Sequence, residues 1–184
     1  MRKKQATFEA QVFTTSDVVG LTGIASETLQ NWVKRGYTTA SVKEGDGKGT
    51  VRLWKFVDVE AIAIALDLVK AGVSPGDALD AGTLISAKTW SEVTHILGHE
   101  SPDWEHLGQP MPKEATSAVA IVRFDRREFD DEMVSIVTAG RPYPSDIFSD
   151  PRMGIIIPIG AIKSRLRERW ADIEANRTRK RRTT

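Results

Sequence analysis

The spacing of apolar and polar positions in the first third of the chain predicts two short helices joined by a turn. Thr14 and Thr15 stand before the run Ser16–Leu21, and both have the type of side chain that caps a helix N-terminus. Ser26 is expected to cap a second helix, Glu27–Arg35. That helix should end at Gly36, because glycine readily adopts the left-handed backbone that terminates helices.

Beyond this helix pair the pattern indicates a hairpin followed by more helices. Residues 37–55 alternate loosely and carry three glycines in five residues near their centre, which predicts a β-hairpin with its tip there. Asp58 is expected to cap a strongly apolar helix, Val59–Ala71. Pro75 suits the first position of another short helix, and residues 83–98 are expected to be helical in part.

The second half of the chain has a different pattern. Residues 99–117 are rich in proline, glycine and acidic residues, which predicts a linker or long loop. Three short apolar and β-branched runs then predict strands, at Ala118–Phe124, Met133–Thr138 and Gly154–Ile159. Helical spacing returns over Ala161–Asn176, and residues 177–184 are expected to fray.

The last predicted helix has one apolar face. It consists of Ile162, Leu166, Trp170 and Ile173. Such a face can pack on the strands of its own chain or on a second subunit. These residues are therefore our candidates for dimerisation.

Composition narrows the class of protein. The chain has 184 residues, of which 40% are hydrophobic, enough for one medium domain or two small ones. It has no cysteine, which excludes disulfides, thiolate zinc sites and cysteine-ligated iron–sulfur clusters. Residues 1–11 lack the apolar run of a secretory signal, and no apolar stretch is long enough to span a membrane. We expect a cytoplasmic, nucleoid-associated protein.

Charge is spread unevenly along a chain whose formal net charge is only +1. Residues 1–75 sum to +2 and residues 161–184 to +6, whereas residues 76–160 sum to −7. A basic end can bind phosphate while an acidic middle stays away from it. The ends are therefore the candidate binding regions.

The two N-terminal helices form a helix-turn-helix pattern. An α-helix fits the DNA major groove when a second helix crosses behind it and holds it there. The outward positions of the second helix are Glu27, Thr28, Gln30, Asn31, Lys34 and Arg35, and Ser26 stands at its start. We predict that Thr28, Gln30, Asn31 and Lys34 face bases, whereas Ser26 and Arg35 hold the backbone. An ordinary helical hairpin with polar faces is the alternative.

The predicted hairpin follows at once, as a wing follows a helix-turn-helix. Its tip is predicted to carry the basic residues Lys43, Lys48, Arg52 and Lys55. Cations on a wing lie against the sugar–phosphate backbone and release counterions. A surface hairpin with solvated lysines is the alternative.

Residues 13–82 resemble the winged helix-turn-helix of MerR-type proteins. The matching pieces stand in order: FTTSDVVGLTGIASETLQNWVKRGY, a glycine-rich tip, Arg52-Leu53-Trp54, a helix from Asp58, and Gly72-Val73-Ser74. The stretch NWVKRG is also similar to excisionase-like winged modules. The resemblance implies a DNA-binding fold. The family's long dimerisation helix is not carried over, because residues 83–117 contain no sustained heptad.

Together these observations predict an α+β protein. A winged helix-turn-helix should be followed by a small α+β domain with about three strands and a terminal basic helix. The predicted segments are a flexible N-terminus (1–12), a DNA-binding domain (13–82), a helical connector and loop (83–117), an α+β dimerisation or effector domain (118–176) and a basic tail (177–184).

The expected function is sequence-specific binding of double-stranded DNA by a prokaryotic or phage transcriptional regulator. A homodimer is expected, because one winged domain contacts few base pairs. RNA polymerase and a small-molecule effector are further candidate partners, and neither a membrane nor a cofactor is expected. Two alternatives stay open: an excisionase-like architectural or recombination-directing factor, and a protein-interaction adaptor.

Catalytic and metal chemistry have weaker signals. His95, His99 and His106 are close in sequence, and the first two could share a helix face that binds zinc. Chance clustering in a polar linker is the alternative, and we predict no metal. The chain has no glycine-rich phosphate loop, nucleophile elbow or Ser/His/Asp arrangement, so we do not expect an enzyme.

Overall fold

Five helices and two three-stranded antiparallel sheets form the part of the chain that the structure describes. The computed structural model describes residues 11–44, 51–96, 119–123, 134–137 and 154–182. The elements are β1 (Val12–Thr14), α1 (Thr15–Thr22), α2 (Ser26–Lys34), β2 (Val42–Glu44), β3 (Val51–Lys55), α3 (Phe56–Lys70), α4 (Pro75–Ile96), β4 (Val119–Arg123), β5 (Val134–Val137), β6 (Gly154–Ile157) and α5 (Ile159–Arg182). The protein therefore mixes helix and strand, as an α+β fold does. None of the described helices is both long and apolar enough to cross a membrane.

The first sheet has the strand order β1-β3-β2, with the second strand of the hairpin at its centre. β2 and β3 pair antiparallel with Val42 opposite Leu53, which confirms the hairpin predicted for residues 37–55. Its glycine-rich tip lies outside the described residues. β1 adds Val12 opposite Lys55 on the other edge. This strand is not predictable from alternation, because three residues are too few to show a period of two.

The N-cap predicted for α1 is confirmed, whereas the N-cap predicted for α2 is wrong. Thr14 Oγ1 accepts a hydrogen bond from the Asp17 N–H at 3.3 Å, and the Asp17 carboxylate accepts one from the Thr14 N–H at 3.0 Å. This reciprocal pair is a capping box. α2 has Ala25 at its N-cap position and Ser26 as its first residue. The capping role predicted for Ser26 is therefore wrong.

The turn between α1 and α2 depends on one glycine. Gly23 ends α1 with a left-handed backbone at φ 76°, and its N–H donates to the Val19 carbonyl at 2.9 Å. A side chain at this position would be strained, because L-residues disfavour positive φ. The turn directs the chain into α2 within three residues, Gly23 to Ala25.

α3 and α4 form a close helix pair whose bounds differ from those predicted. α3 begins at Phe56, and Asp58 is its third residue, where its carboxylate accepts from the Lys55 N–H at 2.8 Å. α4 is one continuous helix, whereas the sequence predicts a short helix and a separate, partly helical segment. A Cβ at Gly82 would lie 2.4 Å from the Ala61 carbonyl oxygen. Glycine therefore sets the close approach of these two helices.

The second sheet contains all three predicted strands, within the predicted ranges. Its order is β5-β4-β6, and both pairs are antiparallel. In the central strand Ala120 stands opposite Ile136 on one side and Ile157 on the other. β6 leads through Pro158 directly into α5, so this sheet is tied to the C-terminal helix.

α5 packs against the first half of the chain and continues further than predicted. The predicted end at Asn176 and the fraying of the tail are wrong, because the helix extends to Arg182. The Arg177 guanidinium pairs with Asp17 of α1 and lies over the Trp170 ring, 5.3 Å from its centre. These contacts hold Arg177 against α1 and Trp170.

The face of α5 that the sequence marks as a candidate for dimerisation is buried within the same chain. Ile162, Leu166 and Trp170 are 1%, 0% and 7% exposed and belong to one core with residues of the first sheet and of α1 to α4. The Phe13 ring meets Trp170 edge-on, with 5.1 Å between ring centres. Ile173 is half-buried and packs over Gly20. The dimerisation role is therefore corrected, because Phe13 and α1 already cover this face.

Candidate nucleic-acid interface

α2 divides its residues sharply between a buried face and an exposed face. Leu29 and Trp32 are 1% and 4% exposed and lie in the core. The exposed residues are Ser26, Glu27, Gln30, Asn31, Lys34 and Arg35, and Thr28 is half-buried. Within this set Glu27, Gln30, Asn31 and Lys34 have the 3-4-7 spacing of a single helix face. Four of the predicted DNA-facing residues of α2 therefore share one accessible face, whereas Thr28, which the sequence predicts to face a base, is half-buried.

The far end of α2 is fixed as firmly as its buried face. The Tyr37 N–H donates to the Trp32 carbonyl at 3.0 Å, and the Gly36 N–H donates to the Val33 carbonyl at 3.1 Å. Gly36 has φ 75°, so the helix ends in the left-handed turn expected from the sequence. α2 is thus a short helix held at its end and along one side, which keeps the polar face in a defined place.

α1 lies between α2 and the sheet and is tied to the hairpin. The Trp54 Nε1–H of β3 donates to Thr15 Oγ1 at 3.3 Å, and the Trp54 ring is fully buried. Val18 and Leu21 of α1 share the core with Leu29 of α2. The helix pair and the hairpin therefore form one unit rather than separate pieces.

The register of the hairpin places two basic residues directly opposite each other. Lys43 of β2 is the partner of Arg52 of β3, and the Arg52 side chain is exposed. Like charges at directly opposed positions destabilise an antiparallel pair. The register thus brings two cationic positions of the hairpin side by side, with Glu44 next to Lys43 in β2.

The structure does not place Lys55 and Lys48, the other two predicted wing cations, beside Lys43 and Arg52. Lys55 is at the far end of β3, opposite Val12 of β1, and it is half-buried. It therefore lies at the base of the hairpin, not at the tip where the sequence predicts it. Lys48 falls outside the described residues.

Four cations of α5 bind groups in the first half of the chain. Arg165 Nη2 is 3.0 Å from Asp67 Oδ2 of α3, and Arg169 donates to the Leu21 carbonyl at 2.8 Å. Lys163 pairs with Glu60 and Arg177 with Asp17. Sequence reasoning finds that α5 is basic but misses that these cations bind α1 and α3. The available signal is the position of the two charges, because Glu60 stands directly before the apolar run 61–66 and Lys163 directly after the largely apolar run 155–162.

The histidine cluster lies mostly beyond the described residues. His95 is in the last turn of α4, whereas His99 and His106 are outside the described ranges. Among the residues that the structure describes, no group of three or more His, Asp or Glu side chains could hold a metal ion.

Comparison with known proteins does not place the chain in a family. A scan against protein-family models gives no match, and a search of curated proteins gives none. The resemblance of residues 13–82 to MerR-type domains thus stays a prediction.

Proposed function

We propose that the chain binds double-stranded DNA through a winged helix-turn-helix and acts as a sequence-specific transcriptional regulator. α1 and α2 are the helix-turn-helix, and the β2–β3 hairpin is the wing. The observation that carries the proposal is the division of α2, with Leu29 and Trp32 buried and an exposed polar face opposite. A helix fixed in this way can enter the major groove as a rigid body.

Base recognition is assigned to the centre of the exposed face. Gln30 and Asn31 are adjacent and exposed, and their amides can donate to and accept from one adenine edge each. Lys34 follows one turn after Gln30 and reaches guanine or phosphate. Each bidentate amide–adenine pair contributes about 1–3 kcal/mol of discrimination against the wrong base.

Backbone binding is assigned to the two ends of the unit. Arg35 at the end of α2 and Arg52 on the hairpin are exposed cations, and Lys43 stands opposite Arg52. The first turn of α2, which begins at Ser26, presents backbone N–H groups that bind a phosphate. These contacts fix position and register, whereas the amides supply sequence preference.

Two copies on two half-sites would give the specificity that one unit lacks. The α5 face cannot pair them, because it is buried within the chain. Among the described residues β5 and β6 each pair only with β4, so their outer edges are the candidates for pairing two subunits.

The test is selection of bound duplexes from a random-sequence library by the full chain, followed by affinity measurements across a salt series. Asn31→Ala and Gln30→Ala should each lose about 1–3 kcal/mol of discrimination at one base pair, with the salt dependence kept. Thr83→Ala, an exposed change on α4, is the matched control and should leave affinity and preference unchanged.

Two outcomes would contradict the proposal. Salt-sensitive binding without any enriched motif, or with cooperative coating of tandem sites, would favour the architectural role instead. Failure to bind any duplex at low salt would favour the adaptor role, since electrostatic binding is strongest there.

A further inference from the structure

We propose that the C-terminal end of α5 is a second DNA-binding element, a rigid basic arm on the phosphate backbone that flanks the site bound by α2. The basic arm is defined as residues 177–182, with the sequence Arg-Thr-Arg-Lys-Arg-Arg. The inference rests on the proposed function and adds to it a contact surface outside the winged unit.

Three contacts along α5 fix the position of the basic arm. Arg169 donates to the Leu21 carbonyl near the end of α1, Ile173 packs over Gly20, and Arg177 pairs with Asp17 in the first turn of α1. α5 therefore runs antiparallel to α1, from its end towards its start. Beyond Arg177 the helix continues for five residues and so extends about 7 Å past this contact.

The basic arm is anchored at its root. The Arg177 guanidinium lies against the Asp17 carboxylate and over the Trp170 ring, and Trp170 packs edge-on against Phe13 of β1. A helical arm held in this way loses less conformational freedom on binding than a frayed tail would. The anchor thus restricts the basic arm to one orientation relative to α1.

The charge of the basic arm fits a polyanion. Five of the six residues 177–182 are basic, and no acidic residue follows Glu174. Residues 178–181 are exposed. Like charges packed along a helix repel one another, and a row of phosphates relieves that repulsion.

The contact at Asp17 also removes a negative charge from the expected path of the DNA. Asp17 is the one acidic residue of α1 and stands in its first turn. In helix-turn-helix complexes the first helix crosses the DNA backbone while the second lies in the groove. Because Arg177 pairs with the buried Asp17, the start of α1 presents no uncompensated acidic side chain beside the basic arm.

The experiment compares two versions of the full chain with the wild type. One carries Arg179→Gln, Lys180→Gln, Arg181→Gln and Arg182→Gln together, and its matched control carries Arg179→Lys, Arg181→Lys and Arg182→Lys. Affinity is measured across a salt series on the selected site alone and on the same site extended by about ten base pairs, one helical turn, on each side.

The wild type should bind the extended duplex more tightly than the short one. The glutamine variant should lose that gain, and the slope of log affinity against log salt should fall by about 0.9 for each phosphate that the variant no longer neutralises. The lysine control should keep both, because it keeps the charge. Thermal unfolding of all three proteins is measured alongside, so that the loss of a contact within the chain is told apart from the loss of a phosphate contact.

The outcomes separate this inference from the proposed function. If the glutamine variant matches the wild type on both duplexes while Asn31→Ala still loses base discrimination, the basic arm is refuted and the winged helix stands. If the glutamine changes abolish binding to phosphatidylserine vesicles and leave DNA binding intact, the partner is a membrane and the inference is overturned. Absence of DNA binding by the wild type at low salt would overturn both proposals.

Discussion

Glu60 of α3 and Lys163 of α5 form an ion pair that is buried on both sides. Lys163 Nζ lies 3.2 Å from Glu60 Oε1, and the two side chains are 0% and 1% exposed for Glu60 and Lys163 respectively. Ser86 Oγ of α4 donates to the other carboxylate oxygen of Glu60 at 3.0 Å. Three helices from both halves of the chain therefore meet at one charged contact, and α5 docks in only one register along α3.

Removing one partner of this pair should be strongly destabilising. In Lys163→Met the apolar stem is kept, but Glu60 is left as a buried carboxylate without its cation. We expect a loss of about 3–5 kcal/mol in the free energy of unfolding, the usual cost of an uncompensated buried charge. Urea denaturation followed by circular dichroism measures this loss.

The double variant Glu60→Leu with Lys163→Met is the control for that prediction. Both charges are then replaced by apolar groups of similar size, and Ser86 Oγ still has the Val57 carbonyl at 3.3 Å as an acceptor. Stability should return to near the wild-type value or exceed it. A double variant as unstable as the single one would show that packing rather than charge explains the loss.

Gly82 should be intolerant of the smallest side chain. A Cβ there would lie 2.4 Å from the Ala61 carbonyl oxygen, a backbone atom, so α3 and α4 would have to separate. We expect Gly82→Ala to lower the free energy of unfolding by about 1–3 kcal/mol, although alanine favours helix.

Gly76→Ala in the same helix is the matched comparison for Gly82. Its Cβ would lie 3.6 Å from the Tyr37 ring, which is ordinary contact. This variant should be neutral or more stable by up to about 1 kcal/mol. Equal behaviour of the two variants in thermal unfolding would argue against the close helix contact.

Trp170 should stabilise the folded monomer rather than a subunit interface. Trp170→Ala removes the ring that packs on Phe13, and we expect a loss of about 3–5 kcal/mol. The difference between variant and wild type should be the same at low and high protein concentration, because the contact closes within one chain. Ile156→Ala, at an exposed position of β6, should change stability little. If the loss of stability in Trp170→Ala depends on protein concentration and grows on dilution, Trp170 contributes to a subunit interface after all.

The local elements of this fold are predictable from sequence because their signals are local. Thr14 and Gly36 mark helix ends by their own chemistry, and the buried and exposed residues of α2 follow the helical period. The three strands of the second sheet also fall where β-branched runs place them. The candidate interface on α2 is predictable for the same reason.

The partners of α5 are not predictable in this way. Periodicity shows that Ile162, Leu166 and Trp170 share a face, but hydrophobic burial has no direction, so it cannot tell an internal core from a second subunit. Beyond Asn176, Arg177 meets Asp17, which is 160 positions earlier in the chain. No local pattern carries such a contact.

Arg52 offers the most direct test of the hairpin as a DNA contact. Arg52→Ala removes an exposed cation opposite Lys43. If the cation binds phosphate, affinity should fall by a similar factor on every duplex, and the salt slope should become shallower by about 0.9. The hairpin itself should be no less stable, since Arg52 is exposed. Lys70→Ala, which removes an exposed cation at the end of α3, is the control and should leave the slope unchanged.

Two results would contradict the backbone contact. Equal slopes for both variants and the wild type would exclude the hairpin from the interface. A change of preferred sequence with Arg52→Ala would show that Arg52 contacts a base instead of the backbone.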